Sequence, residues 1–338
     1  MAEIVLGIEF GSSNVTISKK DEGLILKTPN VIAVKKDYSD NFVVEEIGEK
    51  AKNLIGKTDD RIAVFSPVCN GEIVSEKYAT IMLKTLLDNL NIKRGIFSKL
   101  KIIITVPVGI TQEQKKKYID LCYNVGAKEV ICIPKVFCSA LGEKINIGAN
   151  NAKLIVDVGG GTVDCAVINL NTIISGSTLE IGGKTMDSTI IDYIKQNFNT
   201  VIGEKTAQQI KEQIGSLYPN DNAHMVVNGV RLADNTPNTL TVTAKDVYEA
   251  THMFFDEVIK IIRATINSLE PEISADVVRN GIYVCGGYAK TVGLDKYIKN
   301  QLGGISVFIS YDCESSICKG INKLLSHEDM LENILINL

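Results

Sequence analysis

The amino-acid sequence predicts an α/β protein with two lobes of similar design, and three observations lead to this prediction. The chain has 338 residues, of which 45% are hydrophobic, and this is enough to bury two separate cores. Apolar strand patterns alternate along the chain with helical patterns, as in α/β proteins. A strand–turn–strand pattern near the start also recurs about half a chain later, which indicates two related lobes.

The recurring pattern is a β-hairpin with a glycine-containing turn. Residues 4–18 predict an apolar, β-branched strand, a Gly-Ser-Ser-Asn turn and a returning strand. Residues 153–170 repeat this design around a Gly-Gly-Gly-Thr turn. When the two hairpins are aligned, Glu9 falls on Asp157, so each hairpin carries an acidic residue at the same place.

Two helices are predicted by their start and stop signals. Thr111 and Gln114 form a capping box, in which each residue's side chain hydrogen-bonds the other's backbone at a helix start. Thr243 and Asp246 open a longer amphipathic helix in the same way, and Pro271 ends it because proline cannot continue a helix. Helices of this length between strands support the α/β class.

Strands and one insertion complete the prediction. Apolar runs at 101–106 and 281–285 predict buried strands. The most polar and turn-rich stretch, 219–238, predicts a small surface hairpin with Asn228-Gly229 as its tight turn.

Charge and cysteine usage exclude several function classes. The net charge is −4 and the pI is about 5.6, so the chain lacks the basic field that holds nucleic acid. The start lacks the features of a secretory signal, and no apolar run reaches the roughly 18 residues of a membrane span, so we expect a cytoplasmic protein. The eight cysteines are scattered without a C-x-x-C pair, which favours reduced thiols over metal ligands.

Three glycine-containing turns, at 11–14, 159–162 and 286–289, each follow an apolar strand. Small side chains leave backbone N–H groups free to approach phosphate oxygens. Taken singly, each is a common hairpin or strand-to-helix turn. Glu9 and Asp157 stand two residues before the first glycine of the two hairpin turns, where they can hold magnesium through its waters. Together these features predict a site for a nucleotide and its metal ion.

Two other nucleotide-binding motifs are incomplete in this chain. Gly183-Lys184-Thr185 is similar to the end of a Walker A loop, but Thr178 stands where that loop needs a glycine. No G-x-G-x-x-G follows the first strand, so the fingerprint of a dinucleotide-binding fold is missing.

The three turns are similar to the phosphate-one, phosphate-two and adenosine motifs shared by actins, heat-shock chaperone ATPases and sugar kinases. Three further segments resemble one branch of this superfamily, the MreB family of bacterial actins. Residues 105–111 resemble its "VPxGIT" stretch, residues 181–187 its "VGGDxMD" and residues 202–207 its "IGERTA". The resemblance runs almost from end to end of the chain.

This resemblance implies an actin-like fold with a nucleotide in the cleft between two lobes, each a ribonuclease-H-like mixed sheet with helices. The first lobe is expected at 1–139, with a small insertion near 31–72, and is completed by 306–338. The second lobe is expected at 140–305, with a small insertion near 181–240.

The resemblance also implies the ligands and the residues that contact them. ATP or ADP is the expected nucleotide and Mg²⁺ the expected metal ion, held through water by Glu9 and Asp157. Contacts to the phosphates are implied for Ser12, Ser13, Asn14, Gly159, Gly160, Gly161 and Thr162. The ribose and adenine pocket is implied for Gln208, Lys211, Gly286, Gly287, Tyr288 and Ala289.

Three residues depart from the family pattern. Lys135 stands where the family has the glutamate of "EEP" that positions the attacking water. An ammonium has no lone pair with which to orient water, so we expect ATP to be bound but hydrolysed slowly. Lys135 either approaches the γ-phosphate as a fixed charge or points to solvent. Gln208 replaces a glutamate and Glu9 an aspartate, and both changes keep a group suited to the role.

The resemblance implies a filament that assembles from copies of this chain and controls cell shape or motility. Ile96 and Phe97 occupy the place of an apolar membrane-binding loop, and the alternative is that they pack under the next helix. Partners are therefore expected to be the chain itself, the inner face of the cell membrane, and other MreB paralogues or cell-shape proteins. A small-molecule kinase and a chaperone-type ATPase remain as alternatives on the same fold.

Overall fold

The computed structural model describes residues 3–37, 41–92 and 99–337. Its strands are β1 (Glu3–Phe10), β2 (Asn14–Lys19), β3 (Gly23–Pro29), β4 (Ile32–Lys36), β5 (Phe42–Ile47), β6 (Ile62–Phe65), β7 (Val68–Cys69), β8 (Glu72–Ile73), β9 (Lys99–Val106), β10 (Glu129–Pro134), β11 (Lys153–Val158), β12 (Val163–Asn169), β13 (Thr172–Leu179), β14 (Thr200–Val201), β15 (His224–Arg231), β16 (Pro237–Thr243), β17 (Ile282–Cys285) and β18 (Val307–Ile309). Its α-helices are α1 (Glu49–Lys52), α2 (Glu76–Asn89), α3 (Gln112–Asn124), α4 (Lys135–Gly142), α5 (Gly183–Phe198), α6 (Glu204–Ile214), α7 (Ala244–Asn267), α8 (Pro271–Asn280), α9 (Leu294–Gln301), α10 (Ser316–Ser326) and α11 (Glu328–Leu335).

Two five-stranded sheets share one topology. The strand order is β10-β9-β1-β2-β3 in the first sheet and β13-β12-β11-β17-β18 in the second. In each sheet an antiparallel meander of three strands continues, from its first strand, into two parallel strands. The repeated mixed topology confirms the predicted α/β class, and it gives the two halves of the chain the same architecture.

Both predicted helix starts are confirmed, but the capping box at Thr111 is only half formed, because the Gln114 side chain accepts a hydrogen bond from the N–H of Ile73 instead. The hydroxyl of Thr111 accepts a hydrogen bond from the N–H of Gln114, at 3.2 Å, at the start of α3. Thr243 and Asp246 exchange hydrogen bonds between side chain and backbone at the start of α7. Both caps satisfy N–H groups that a helix start leaves without partners.

Two helices cross where the chain passes between the sheets. Helix α4 leads from the first sheet to the second, and α10 packs across it with backbone against backbone. A Cβ added at Gly142 of α4 would overlap the carbonyl group of Ser316, and one at Gly320 of α10 would overlap that of Cys138. Only glycine permits this approach, so the crossing depends on one glycine from each helix.

Helix α10 also contacts the first sheet. A Cβ added at Gly7 of β1 would lie 2.0 Å or so from the side chain of Ile321, so the strand presents a bare backbone to the helix. Leu6 and Ile8 point to the other face of the sheet and are fully buried, in one core with Met82 and Leu83 of α2. A larger core joins the second sheet, α4, α7 and α10 to Val5, Ile103 and Ile133 of the first sheet.

The predicted turn at Asn228-Gly229 is wrong. Both residues lie inside β15, where Asn228 pairs with Thr239 and Gly229 with Asn238 of β16. The turn follows Arg231 directly, at residues 232–236, and Asn235 has a left-handed conformation there, with φ 55°. Gly229 is needed for a different reason, because a Cβ there would meet the carbonyl oxygen of Val201 at 2.5 Å.

The predicted return to the first lobe at residue 306 is too early. Strand β18 pairs in parallel with β17 at the edge of the second sheet, so the chain leaves that sheet after Ile309. A three-residue edge strand is too short to show a periodic pattern in sequence. The other predicted lobe limits remain predictions.

Smaller sheets lie inside the two predicted insertions. Strands β4, β5 and β6 form one three-stranded sheet, and β14, β15 and β16 form another. Among the helices of the described ranges, none combines the length and the apolar composition needed to cross a membrane.

Candidate functional site

The two hairpin turns meet at the bottom of a cleft between the sheets. A Cβ added at Gly160 would overlap the side chain of Ser13, and one at Gly161 would overlap that of Ser12. The backbone of the second turn thus lies directly against the first turn. Both turns line a cleft of about 1120 Å³, which is large enough for a nucleotide-sized ligand. The structure brings together the two turns that the sequence predicted to act together.

The turns have backbone N–H groups available for a ligand. Each is closed by one hydrogen bond, from Gly11 N–H to the carbonyl of Asn14 at 3.0 Å and from Gly159 N–H to the carbonyl of Thr162 at 2.9 Å. The N–H groups between these closures donate to no acceptor in the described part of the chain; they belong to Ser12, Ser13, Gly160 and Gly161. Unpaired N–H groups in successive glycine and serine residues form an anion-binding concavity.

Asn30 holds the first turn in place. Its side-chain amide nitrogen donates to the carbonyls of Gly11 at 2.9 Å and of Val68 at 2.8 Å, and the residue is fully buried. Its own N–H donates to the carbonyl of Ser13 at 2.9 Å. These bonds direct the turn's carbonyls away from the cleft. Sequence reasoning missed Asn30, because an asparagine that follows a strand reads as an ordinary turn residue.

The second turn is held by the start of α5. The N–H of Gly183 donates to the carbonyl of Gly159 at 3.1 Å, and the N–H of Lys184 donates to that of Gly160 at 2.9 Å. The Walker-like Gly183-Lys184-Thr185 therefore supports the turn from behind and does not form a phosphate loop of its own. The ammonium of Lys184 reaches across the cleft to the hydroxyl of Ser66 at 2.8 Å.

The third turn lies against the second sheet. Gly286 has φ 90°, and a Cβ there would lie 2.6 Å from an oxygen of Asp157, so this position requires glycine on both counts. The ring of Tyr288 covers Gly183, where a Cβ would overlap it. Ala289 is buried, while Gly287 is exposed beside the cleft. The turn thus packs the end of β17 against the start of α5.

Lys211 connects three elements at the same place. Its ammonium donates to the carbonyl of Gly183 at 2.7 Å, to Asp187 at 2.5 Å and to the hydroxyl of Tyr288 at 3.1 Å. Burial lowers the pKa of Lys211, and the Asp187 charge opposes that shift. All three of its donors are used within the protein, so Lys211 positions the pocket wall. Gln208, one helical turn earlier, donates to Glu212 at 2.8 Å and faces the cleft.

Lys135 is buried, so of the two alternatives for its side chain the one in which it points to solvent is wrong. The residue is only 9% exposed. Its ammonium lies 2.7 Å from a carboxylate oxygen of Asp164 and donates to the hydroxyl of Thr162 at 2.7 Å. Burial alone would lower the pKa of Lys135, but the charges of Asp157, Asp164 and Glu9 outweigh it and raise the pKa above its usual value. The side chain is therefore a fixed cation in the cleft.

Asp164 is the partner that the sequence did not reveal. It lies directly opposite Asp157 in the β11–β12 ladder, so two carboxylates share one face of the second sheet. One of its oxygens accepts hydrogen bonds at 2.7 Å from the N–H of Val108 and from the hydroxyl of Thr178. Like charges directly opposite destabilise a sheet unless a cation offsets them, and Lys135 is that cation. In the sequence, Asp164 is only one position of an alternating strand pattern, so nothing there marks it as the partner of Lys135.

Glu9 and Asp157 lie at the base of the cleft, one in each sheet. Burial, followed by the charge of Asp157, raises the pKa of Glu9 to about 7, although Lys135 and Lys27 oppose the shift. Asp157 is 1% exposed and accepts a hydrogen bond from the hydroxyl of Ser139 at 2.7 Å. Both acidic residues line the cleft, and their role as magnesium ligands stays a prediction.

These side chains do not fit a tight magnesium site. Within the described ranges, no group of three or more His, Cys, Asp or Glu side chains is placed to hold a metal ion. One oxygen of Asp157 already accepts a hydrogen bond from the hydroxyl of Ser139. The ammonium of Lys135 adds a positive charge that repels a second cation. Magnesium here would take most of its ligands from water and a bound phosphate chain.

Comparison with known proteins decides the family. The model of the MreB/Mbl protein family matches residues 3–333. The chain belongs to the MreB/Mbl family. This confirms the resemblance found in the sequence and does not favour the kinase or chaperone alternatives.

Relatives in this family match the chain over nearly its whole length. The cell shape-determining protein MreB of Escherichia coli strain K12 is 30% identical over 327 residues, which cover 96% of this chain and 94% of that protein. The cell shape-determining protein Mbl of Bacillus subtilis strain 168 is also 30% identical over 327 residues, covering 96% of this chain and 97% of Mbl.

Solved structures confirm the actin-like fold. MreB 5 of Spiroplasma citri bound to AMPPNP superposes with a TM-score of 0.88 at 25% identity, covering 100% of both chains. A MamK double helical filament superposes with a TM-score of 0.78 at 20% identity, covering 95% of this chain and 98% of MamK, and this match shows the fold alone. The fold of this MreB-family protein is thus one that holds a nucleotide analogue in a solved relative.

Two predicted membrane-contact residues, Ile96 and Phe97, lie outside the described residues, so their prediction stays a sequence prediction.

The raised pKa of Glu9 predicts a pH-dependent stability. The folded-state pKa of about 7 lies above the ordinary value of 4.5, so the folded protein loses stability as pH rises between these values. We expect Glu9→Gln to raise the free energy of unfolding by about 1–3 kcal/mol at about pH 8, because the amide has no charge to bury. Urea unfolding across this pH range measures the difference, which should vanish below pH 4.5. A constant difference at all pH values would contradict the burial of a titrating carboxyl.

Proposed function

We propose that this MreB-family protein binds ATP in its cleft and assembles into cytoskeletal filaments that act in cell shape or motility. The observation that carries this proposal is the meeting of two turns whose N–H groups are free at the base of the cleft. Supporting it, relatives at 30% identity are named cell shape-determining proteins, and solved neighbours are bound to AMPPNP or ADP.

The proposal assigns the phosphates to the hairpin turns and the nucleoside to the wall beside α6. The phosphate-contacting residues are Ser12, Ser13, Asn14, Gly159, Gly160, Gly161 and Thr162. The nucleoside wall is formed by Gln208, Gly286, Gly287, Tyr288 and Ala289, with Lys211 holding it together. A ligand that contacts both turns stabilises the closed cleft, because the turns come from different sheets. Closure by ATP would favour the conformation that polymerises.

Slow hydrolysis follows from the environment of Lys135. Its ammonium is paired with Asp164 and donates a hydrogen bond to Thr162. The raised pKa of Lys135 keeps the group protonated at neutral pH. A protonated ammonium cannot accept a proton from water. Positioned bases contribute about 10²–10⁴-fold to hydrolysis, so losing one leaves ATP bound for much longer.

Filament assembly is the direct test of this function. The purified protein is expected to bind ATP and to form filaments, as seen by electron microscopy and by pelleting. Gly160→Ala is expected to abolish both, because its Cβ overlaps Ser13 and forces the turns apart. Gly203→Ala is the matched control, since nothing lies within 4 Å of a Cβ at that position. Absence of ATP binding by the wild-type protein would rule the proposal out.

The role of Lys135 can be tested by restoring a carboxylate. Lys135→Glu is expected to raise the rate of phosphate release by roughly 10²-fold, because it supplies an acceptor for the attacking water. Lys135→Met, which removes the ammonium without adding a base, should stay slow.

This test needs a control for the repulsion between a glutamate at position 135 and Asp164. Glutamate at 135 would lie beside Asp164, so the substitution is also made in an Asp164→Asn background, where that repulsion is absent. Brisk phosphate release by the wild-type protein, equal to that of the glutamate variant, would refute the assignment of slow hydrolysis.

We further propose that the filaments bind the inner face of the cell membrane through Ile96 and Phe97. Each apolar side chain contributes only about 1.5–3 kcal/mol, but the contribution multiplies along a filament. The double variant Ile96→Ser/Phe97→Ser is expected to lose co-flotation with phosphatidylglycerol vesicles in the presence of ATP. Val74→Ser, which changes an apolar residue that is 59% exposed elsewhere, is the control. Undiminished flotation of the double variant would exclude these residues as the contact.

A further inference from the structure

The ammonium of Lys135 is a built-in cation at the base of the cleft. It is carried by the first residue of α4, and its side chain is held by Asp164 and Thr162, each at 2.7 Å. An ammonium has three N–H donors; one is used by Thr162, and Asp164 pairs with its charge. A donor remains for an acceptor in the cleft.

Two carboxylates lie close to this cation. Asp157 and Asp164 are cross-strand neighbours on one face of β11 and β12. A Cβ placed on Gly159 would lie 3.6 Å from the Lys135 nitrogen and 3.9 Å from an oxygen of Asp157, so both groups flank the first glycine of the second turn. The negative charge that would attract a divalent cation is therefore already partly neutralised by the protein itself.

The same ammonium adjoins the groups that face a phosphate chain. Thr162, to which it donates, is the last residue of the second turn, and Lys135 lines the cleft together with Ser12 and Ser13. A phosphate bound by the free N–H groups of the two turns thus has a positive charge close by. A charge-assisted hydrogen bond from an ammonium to a phosphate oxygen is stronger than a neutral one.

A divalent ion binds this cleft less favourably than it would if Lys135 were absent. Like charges repel more strongly in a buried site than in water, and Lys135 is permanently present while a metal ion must be captured from solution. Magnesium also gives up its waters reluctantly, so it depends on well-placed anionic ligands. Here one oxygen of Asp157 accepts a hydrogen bond from Ser139, and the Lys135 ammonium is paired with Asp164.

We propose that the Lys135 ammonium takes the place of magnesium as the cation that neutralises the terminal phosphates, so that this protein binds a nucleoside triphosphate without a divalent ion. This inference rests on the proposed nucleotide function and adds the metal requirement of the site. It concerns binding, and the slow hydrolysis proposed above is a separate consequence of the same residue.

Calorimetric titration of the wild-type protein with ATP tests the proposal. The dissociation constants in excess EDTA and in excess magnesium chloride are expected to agree within about threefold, since the cation is part of the protein. A loss of about tenfold or more in EDTA would overturn the inference while leaving the nucleotide function intact. Absence of binding in both conditions would overturn the nucleotide function and this inference together.

A neutral variant identifies the residue responsible. Lys135→Gln is expected to bind ATP about tenfold more weakly in EDTA and to recover when magnesium is added, because the metal then supplies the missing charge. Equal affinity of variant and wild type in EDTA would contradict the proposal. Lys245→Gln removes an exposed lysine that does not line the cleft and should change neither value. Thermal unfolding checks that each variant folds.

A measurement on the wild-type protein keeps the test independent of any variant. Electron paramagnetic resonance of added Mn²⁺ reports its affinity for ATP free in solution and for ATP bound to the protein. We expect the bound nucleotide to hold Mn²⁺ about tenfold more weakly than the free nucleotide, because the ammonium competes for the same phosphates. Tighter binding of Mn²⁺ to the complex would overturn the proposal.

Discussion

Backbone contact between α4 and α10 sets how the two sheets face each other. Gly142 and Gly320 let these helices touch without side chains between them, and Gly7 lets α10 lie on the first sheet. Since α4 begins at Lys135, the same crossing places that ammonium at the base of the cleft. The positions of the hairpin turns and of the cation therefore depend on one close-packed contact. Protein interiors are densely packed, so this contact has little freedom to shift.

The base of the cleft carries a cation of the protein's own, Lys135, beside its carboxylates. Two aspartates lie opposite each other on β11 and β12, and Glu9 belongs to the other sheet. A buried lysine neutralises part of this charge, whereas a glutamate in its place would increase it. In the two proposals made above, Lys135 therefore bears both on the chemistry of hydrolysis and on the need for an external cation. Asp164 connects this balance to both sheets, because it also accepts the N–H of Val108.

Much of the fold was predictable because it is encoded in local patterns. Both hairpins, the caps at Thr111 and Thr243 and the repeat that relates the lobes show in neighbouring residues, and the structure confirms them. The failures have a common cause, since Gly229 and β18 owe their positions to strands distant in the chain. A glycine required by close approach looks the same in sequence as a glycine required by a turn.

By itself the sequence determined the family, the α/β class and the glycine turns, because each is written in contiguous residues. Only the tertiary structure decided what Lys135 does, since its partner Asp164 lies 29 positions away and is aimed at it by strand pairing. It also decided that Lys211 is a support for the pocket wall and that Asn30 holds the first turn. The physical reason is that a charged side chain acquires its role from the groups that surround it after burial, and those groups are brought together by folding.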